Sequence, residues 1–159
     1  MLKRTAVFVD LSNLYYCTHK KWPDRKINYK AYLDLCGENI YRAIAYGAHI
    51  DHQADGFIKC LKSFGFETKF KAPKEYQTDA GIRRKADFDC DIVVDMIRLI
   101  NKVDVIVLGC ADGDLLPGVE YVREHGIDVR ILACGISRDL KDGASSWTEI
   151  SESILENPS

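Results

Sequence analysis

The chain has 159 residues, 47% hydrophobic and 10% aromatic, with 22 Lys plus Arg against 24 Asp plus Glu. A chain of this length buries about two-thirds of its surface and needs no disulfide or metal clip to hold a core, and its apolar content excludes intrinsic disorder. No apolar run approaches the roughly 20 residues that span a bilayer, and the opening MLKRTAVFVD turns acidic at Asp10, too soon for a signal peptide, so a cytoplasmic protein with no membrane partner is expected.

In chain order, TAVFVD (5–10) reads as a short apolar strand ending in Asp10, followed by Ser12 and Asn13, which favour turns and helix caps. After a loop with Trp22 and Pro23, the spacing of Tyr29, Leu33 and Ile40 predicts a helix over 28–40. RAIAYGAHI (42–50) reads as a second strand, and QADGFIKCLKSFG (53–65) as an amphipathic helix stopped by a left-handed cap at Gly65. FETKFKAP (66–73) alternates apolar with polar, as an outer strand does, and the polar stretch 74–85 reads as a mobile loop. A helix over 87–102 opens on aspartates, which suit the positive end of its dipole. DVIVLGC (104–110) is the most β-like run, a helix over 114–126 ends at Gly126, IDVRILAC (127–134) is a further strand, and a final helix lies around 137–147. This alternation predicts one α/β domain over 1–159, three-layered, with a mainly parallel sheet of five or six strands. Such folds bind ligands at the carboxyl ends of their strands.

The net charge of −2 argues against a constitutive polyanion binder, but it conceals an uneven distribution. Residues 58–85 carry a net +5 and residues 86–114 a net −5. Adjacent basic and acidic blocks suit a metal-dependent enzyme acting on a phosphate polymer, and equally an ordinary solvated surface. The six cysteines show no C-x-x-C pair or zinc spacing, and read as reduced, mostly buried thiols. His19, His49, His52 and His125 show no metal spacing and no nucleophile partner.

Three acidic clusters fall where such a fold keeps its site. Asp10 ends the first strand, Asp112 and Asp114 follow the 104–110 strand, and Asp89 opens the helix before it. At about 100° per residue, Ile92, Val93, Met96, Ile97 and Ile100 form the apolar stripe of that helix. Asp89 falls on this stripe, Asp91 faces away, and Asp95 sits off its edge. Each carboxylate alone could be a cap or turn residue; their joint position is harder to ascribe to capping. Carboxylates brought together repel and are usually held by cations, and oxygen-only ligands select hard ions, Mg²⁺ or Mn²⁺. A calcium loop fits poorly, because Ile92 stands where the loop needs Gly and Arg98 where it needs Glu.

FVDLSNL (8–14), YGAHI (46–50), KADFDCDIVVDM (85–96) and VLGCADGDLLPGVEYVREHGIDVRIL (107–132) together resemble the NYN domain, a branch of the PIN-like nuclease superfamily, and within it the LabA-like group found in bacteria. The resemblance covers about 5–150. It implies a Rossmann-like sheet, a divalent metal at an acidic site, and cleavage of RNA, usually single-stranded. Carried over, the first-strand Asp is Asp10, the Asn behind it Asn13, the helix-start Asp Asp89, and the strand-end pair Asp112 and Asp114. Asp10, Asp89, Asp112 and Asp114 become the metal ligands, and Asp95 a supporting residue. Ser12, Tyr15, Arg83, Arg84 and Lys85 are the candidate substrate contacts, and a homodimer is left open. Tyr15, Tyr16 and Trp22 suit stacking on unpaired bases if exposed, and core packing if not. The family's Ser-Gly-Asp-Gly-Asp-Phe stretch reads Cys110-Ala111-Asp112-Gly113-Asp114-Leu115 here, and Ser145 and Ser146 occupy the terminal helix where such domains often carry Asp.

Three rival readings remain. One is a nuclease-like domain without turnover, serving as an RNA-binding or protein-interaction module. A phosphatase of the haloacid-dehalogenase kind needs a second Asp at position 12, which is Ser. A dinucleotide site needs a Gly-rich turn after the first strand, and none is present.

Overall fold

A computed structural model describes residues 2–49 and 54–157; the predicted element ends at Ile50 and Gln53, and His52, lie outside the described residues. The described residues form eight strands: β1 (Thr5–Asp10), β2 (Ile40–Ala48), β3 (Glu67–Lys71), β4 (Lys74–Thr78), β5 (Gly81–Lys85), β6 (Val105–Gly109), β7 (Asp128–Ala133) and β8 (Ser146–Glu149). The helices are α1 (Leu11–Lys21), α2 (Tyr29–Cys36), α3 (Asp55–Phe64), α4 (Asp89–Arg98), α5 (Leu116–Glu124) and α6 (Arg138–Gly143). Six strands form one parallel sheet in the order β3-β2-β1-β6-β7-β8. The sheet grows from β1 in one direction through β2 and β3, then in the other through β6 to β8. The order therefore reverses between β1 and β6, and a crevice opens at their carboxyl ends.

β1 and β6 are buried along their whole length, as continuous apolar runs at the centre of a parallel sheet should be. Right-handed crossovers put α2 and α3 on one face and α4, α5 and α6 on the other, and within each set the helices contact one another in series. Close approach depends on small residues. A Cβ on Gly118 of α5 would meet the Val93 side chain of α4 at 2.7 Å, and one on Gly109 of β6 would meet the Tyr32 hydroxyl at 2.6 Å. Tyr32 crosses beneath the sheet and donates to the Leu132 carbonyl at 2.7 Å. Gly65 ends α3 in the left-handed conformation, φ 108°, as expected.

Several expectations are corrected. The stretch 74–85 is an antiparallel hairpin, β4 paired with β5, rather than a loop. The final helix stops at Gly143, and Ser146–Glu149 add a sixth strand beside β7. Ser145 accepts from the Val129 amide at 3.0 Å, which holds that edge strand in place. A full helix, α1, begins directly behind β1. On α4 the buried set is Ile92, Asp95, Met96 and the following Leu99, while Ile97 is exposed; the true stripe is rotated toward Asp95. Of the six free cysteines, Cys36, Cys110 and Cys134 are buried, Cys17 is half-buried, and Cys60 and Cys90 are exposed. Among the described residues no helix is long and apolar enough to cross a membrane.

Candidate metal centre and substrate groove

Asp10 closes β1 and opens α1, so its carboxylate serves both elements. Its Oδ1 accepts from the Asn13 amide at 3.1 Å, capping the helix, and the Cys110 thiol lies 4.0 Å from Oδ2. The thiol thus occupies the space beside Asp10 at the position where the family motif has Ser. Asn13 turns its own Oδ1 across the crevice to accept from the Ala111 amide at 2.9 Å. One side chain therefore ties α1 to the loop after β6.

That loop carries Asp112 and Asp114. Asp112 Oδ1 accepts from the Asp114 amide at 2.9 Å, capping a short 3₁₀ turn over Gly113–Leu115. Gly113 packs against α6, where a Cβ would lie 3.1 Å from Ser137 Oγ and 3.9 Å from Asp139 Cβ. Asp89 stands in the first turn of α4 but does not cap it; Asp87 Oδ1 instead accepts from the Asp89 amide at 2.9 Å. The Asp89 carboxylate has no hydrogen-bond partner among the described residues. Asp89, Asp112 and Asp114 each present an oxygen within 4.8 Å of the other two.

The electrostatics follow from this crowding. Burial pushes the Asp89 carboxyl up to about 6, with Asp87, Asp112, Asp10 and Asp114 adding to the shift. Burial also raises Asp10, against the amides of Asn13 and Ser12, which lower it; Asp87 and Asp112 add repulsion. Three converging carboxylates, one pushed toward neutrality by burial and then by its neighbours, match the oxygen donors that a hard divalent cation takes. Asp10 lies within electrostatic reach of this trio but outside it. The predicted set of four ligands therefore appears as three grouped carboxylates and one neighbour.

A cavity of about 860 Å³ runs from these carboxylates along α1 toward α3. Ser12, Asn13, Tyr15 and Arg84 line it, as do Asp10, Asp87, Asp89 and Asp112. Tyr15 and Tyr16 are 54% and 71% exposed, so core packing is excluded for both. Trp22, by contrast, packs against the core and donates to Glu152 at 3.3 Å. Arg84 also pairs with Glu75 across the hairpin at 3.2 Å, and Arg83 is exposed on the opposite hairpin face. The Lys85 side chain lies outside the described residues. Asp95 is not at the cluster: it is buried, accepts from the Tyr46 hydroxyl at 2.6 Å and Lys69 Nζ at 2.7 Å, and pairs with Arg98 at 3.4 Å. Asp87 and Asp139 are additional acids beside the site. Asp87 had a signal in the sequence, the D-F-D spacing that leads into α4, whereas Asp139 is brought to Gly113 only by the packing of α6.

Residues 4–151 match the NYN domain family. The chain is an NYN-domain protein. NYN domains form a PIN-like nuclease family, and the α/β fold with a parallel six-stranded sheet is of that kind. The NYN chain is 28% identical to low amplitude and bright protein LabA of Synechococcus elongatus, over 94% of this chain and 84% of LabA. It is also similar to a Vibrio parahaemolyticus protein of unknown function whose crystal structure superposes with a TM-score of 0.85 at 25% identity, covering 98% of this chain and 97% of the other.

Proposed function

We propose that this NYN domain is a divalent-metal-dependent nuclease hydrolysing phosphodiester bonds of single-stranded RNA. The observation that carries the reading is the grouping of Asp89, Asp112 and Asp114 within 4.8 Å at the reversal point of the sheet, at one end of the cavity. Asp89, Asp112 and Asp114, with Asp10 directly or through water, would hold Mg²⁺ or Mn²⁺, which supplies an activated water and offsets charge developing on the phosphate. The chain's own groups do the positioning. The Asn13 Oδ1 is committed to Ala111, so its amide N–H donors are what it offers a phosphate oxygen or the attacking water. Ser12 stands beside it on the first turn of α1, and the Arg84 and Arg83 guanidiniums of the β5 strand, with Lys85, meet the backbone phosphates. Tyr15 presents an exposed ring on which an unpaired base can stack.

The test is incubation of the purified protein with labelled single-stranded RNA in Mg²⁺, Mn²⁺ or chelator, alongside Asp112→Asn. Cleavage that needs the cation and falls at least about a hundredfold in the variant supports the reading. Equal cleavage by both proteins overturns it, and RNA bound without cleavage leaves the domain a binding module.

A further inference from the structure

The carboxylates account for one end of the cavity only. Its other end is apolar, walled by Phe57 and Phe64 of α3, Phe70 of β3 and Tyr29 of α2. These rings are in an ordered arrangement. Phe57 meets Tyr29 edge to face at 5.9 Å and 82°, and Tyr29 meets the buried Phe66 at 6.1 Å and 86°. Phe57 is nevertheless 41% exposed, a large ring left uncovered at the edge of a recess. The floor depends on Gly47, where a Cβ would meet the Phe70 ring at 2.7 Å and Leu11 at 3.1 Å. Its missing side chain lets Phe70 lie against the end of β2. On the α1 side the recess carries the 2%-exposed Thr18, whose hydroxyl has no hydrogen-bond partner among the described residues.

Phosphate chemistry requires no apolar chamber of this size. A flat aromatic group with a polar edge, attached to the phosphate, does. We propose that the recess is a nucleobase pocket: the unpaired base of the nucleotide whose phosphate lies at Asp89, Asp112 and Asp114 enters between α1 and α3 and packs against Phe57, Tyr29 and Phe70. Cationic groups at the cavity wall, Lys26 and Arg84, complement the phosphates that flank it. A base held in a duplex cannot reach the recess without leaving its stack, so the pocket selects unpaired strands. This inference rests on reading the carboxylates as a phosphodiester site, and adds to it that the base, not only the backbone, is bound.

The experiment is calorimetric titration of the full chain, in Mg²⁺, with adenosine and uridine 5′-monophosphates and with ribose 5-phosphate, which has the same phosphate and sugar and no base. At least one nucleotide should bind about tenfold or more tightly than ribose 5-phosphate, as stacking on one aromatic ring provides. Phe57→Ala, folded by circular dichroism, should remove most of that gap, and Phe57→Trp should keep it. Equal affinities for nucleotide and ribose phosphate, no measurable nucleotide binding, or a gap unchanged in Phe57→Ala each overturn the pocket. The RNA cleavage assay separates the two ideas. Cleavage without a base-dependent gap leaves the nuclease reading standing and removes the pocket, whereas a gap without cleavage does the reverse.

Discussion

Asp89 shows how a single side chain is set by what its neighbours do. Asp87 accepts from the Asp89 amide at the start of α4, and burial, with the charges of Asp87, Asp112, Asp10 and Asp114 added, pushes the Asp89 carboxyl up to about 6. An unfolded Asp titrates near about 3.9. The folded, metal-free protein therefore binds more protons than the unfolded one between those values, and Asp89 lowers stability as pH rises through that window. In chelator, Asp89→Asn should match the parent near pH 4 and melt at a higher temperature above pH 6.5. Thermal melts of both proteins from pH 4 to 8 check this, and a gap independent of pH would contradict it. Added Mg²⁺ should close the gap by stabilising the parent alone.

At the scale of elements, the hairpin β4–β5 is the piece with the least internal support. Among the described residues it has no sheet neighbour, its side chains are exposed, and the ion pair between Glu75 and Arg84 is a surface contact of small value. Its sequence gives no strand pattern because a two-stranded ribbon facing solvent on both sides needs no alternation of apolar and polar residues. The short edge strand β8 escapes notice for a related reason: Ser146, Trp147 and Thr148 are all exposed. If the hairpin meets RNA, Arg83→Ser with Arg84→Ser should weaken binding about tenfold and make the salt dependence shallower by about 1.4 in log–log slope, two phosphate contacts' worth. Stability should change by less than about 0.5 kcal/mol. Fluorescence anisotropy of labelled RNA across salt concentrations measures both quantities, and an unchanged slope rules out the contact.

Over the whole molecule, the adjacent basic and acidic blocks are partly consumed in holding the fold together. Lys69 and Lys71 of β3 reach Asp95 and Asp91 of α4 at 2.7 and 3.0 Å, so part of the charge contrast fastens a helix to a sheet edge. Burial alone would raise the Asp95 carboxyl, but hydrogen bonds from Lys69 and Tyr46, with the Arg98 charge, hold it below the usual carboxylate range. Asp95→Ala should cost about 2 kcal/mol in urea unfolding, arising mainly from the buried Tyr46 hydroxyl left without a partner. Lys69 and Arg98 stay solvated and contribute little. Nucleotide binding should be unaffected, since Asp95 lies away from the carboxylate trio. The strand-end aspartates were legible in the sequence because apolar runs mark where parallel strands stop. Asp95 was misread because a helical wheel drawn from apolar residues cannot see a carboxylate that Tyr46 and Lys69 make tolerable in the interior. Asp139 was invisible because only tertiary packing carries it to Gly113.

The hydrogen bond from Ala111 to Asn13 joins residues 98 positions apart, across the line where the sheet changes direction. Its consequence is temporal. During synthesis Asp10 emerges early and Asp89, Asp112 and Asp114 late, and β6 must dock on β1 before Asp10 and Asn13 meet the loop that carries Asp112 and Asp114. A chain interrupted before Asp112 holds Asp10 and Asp89 but not the grouped carboxylates, so the site forms only after β1 to β6 have all emerged.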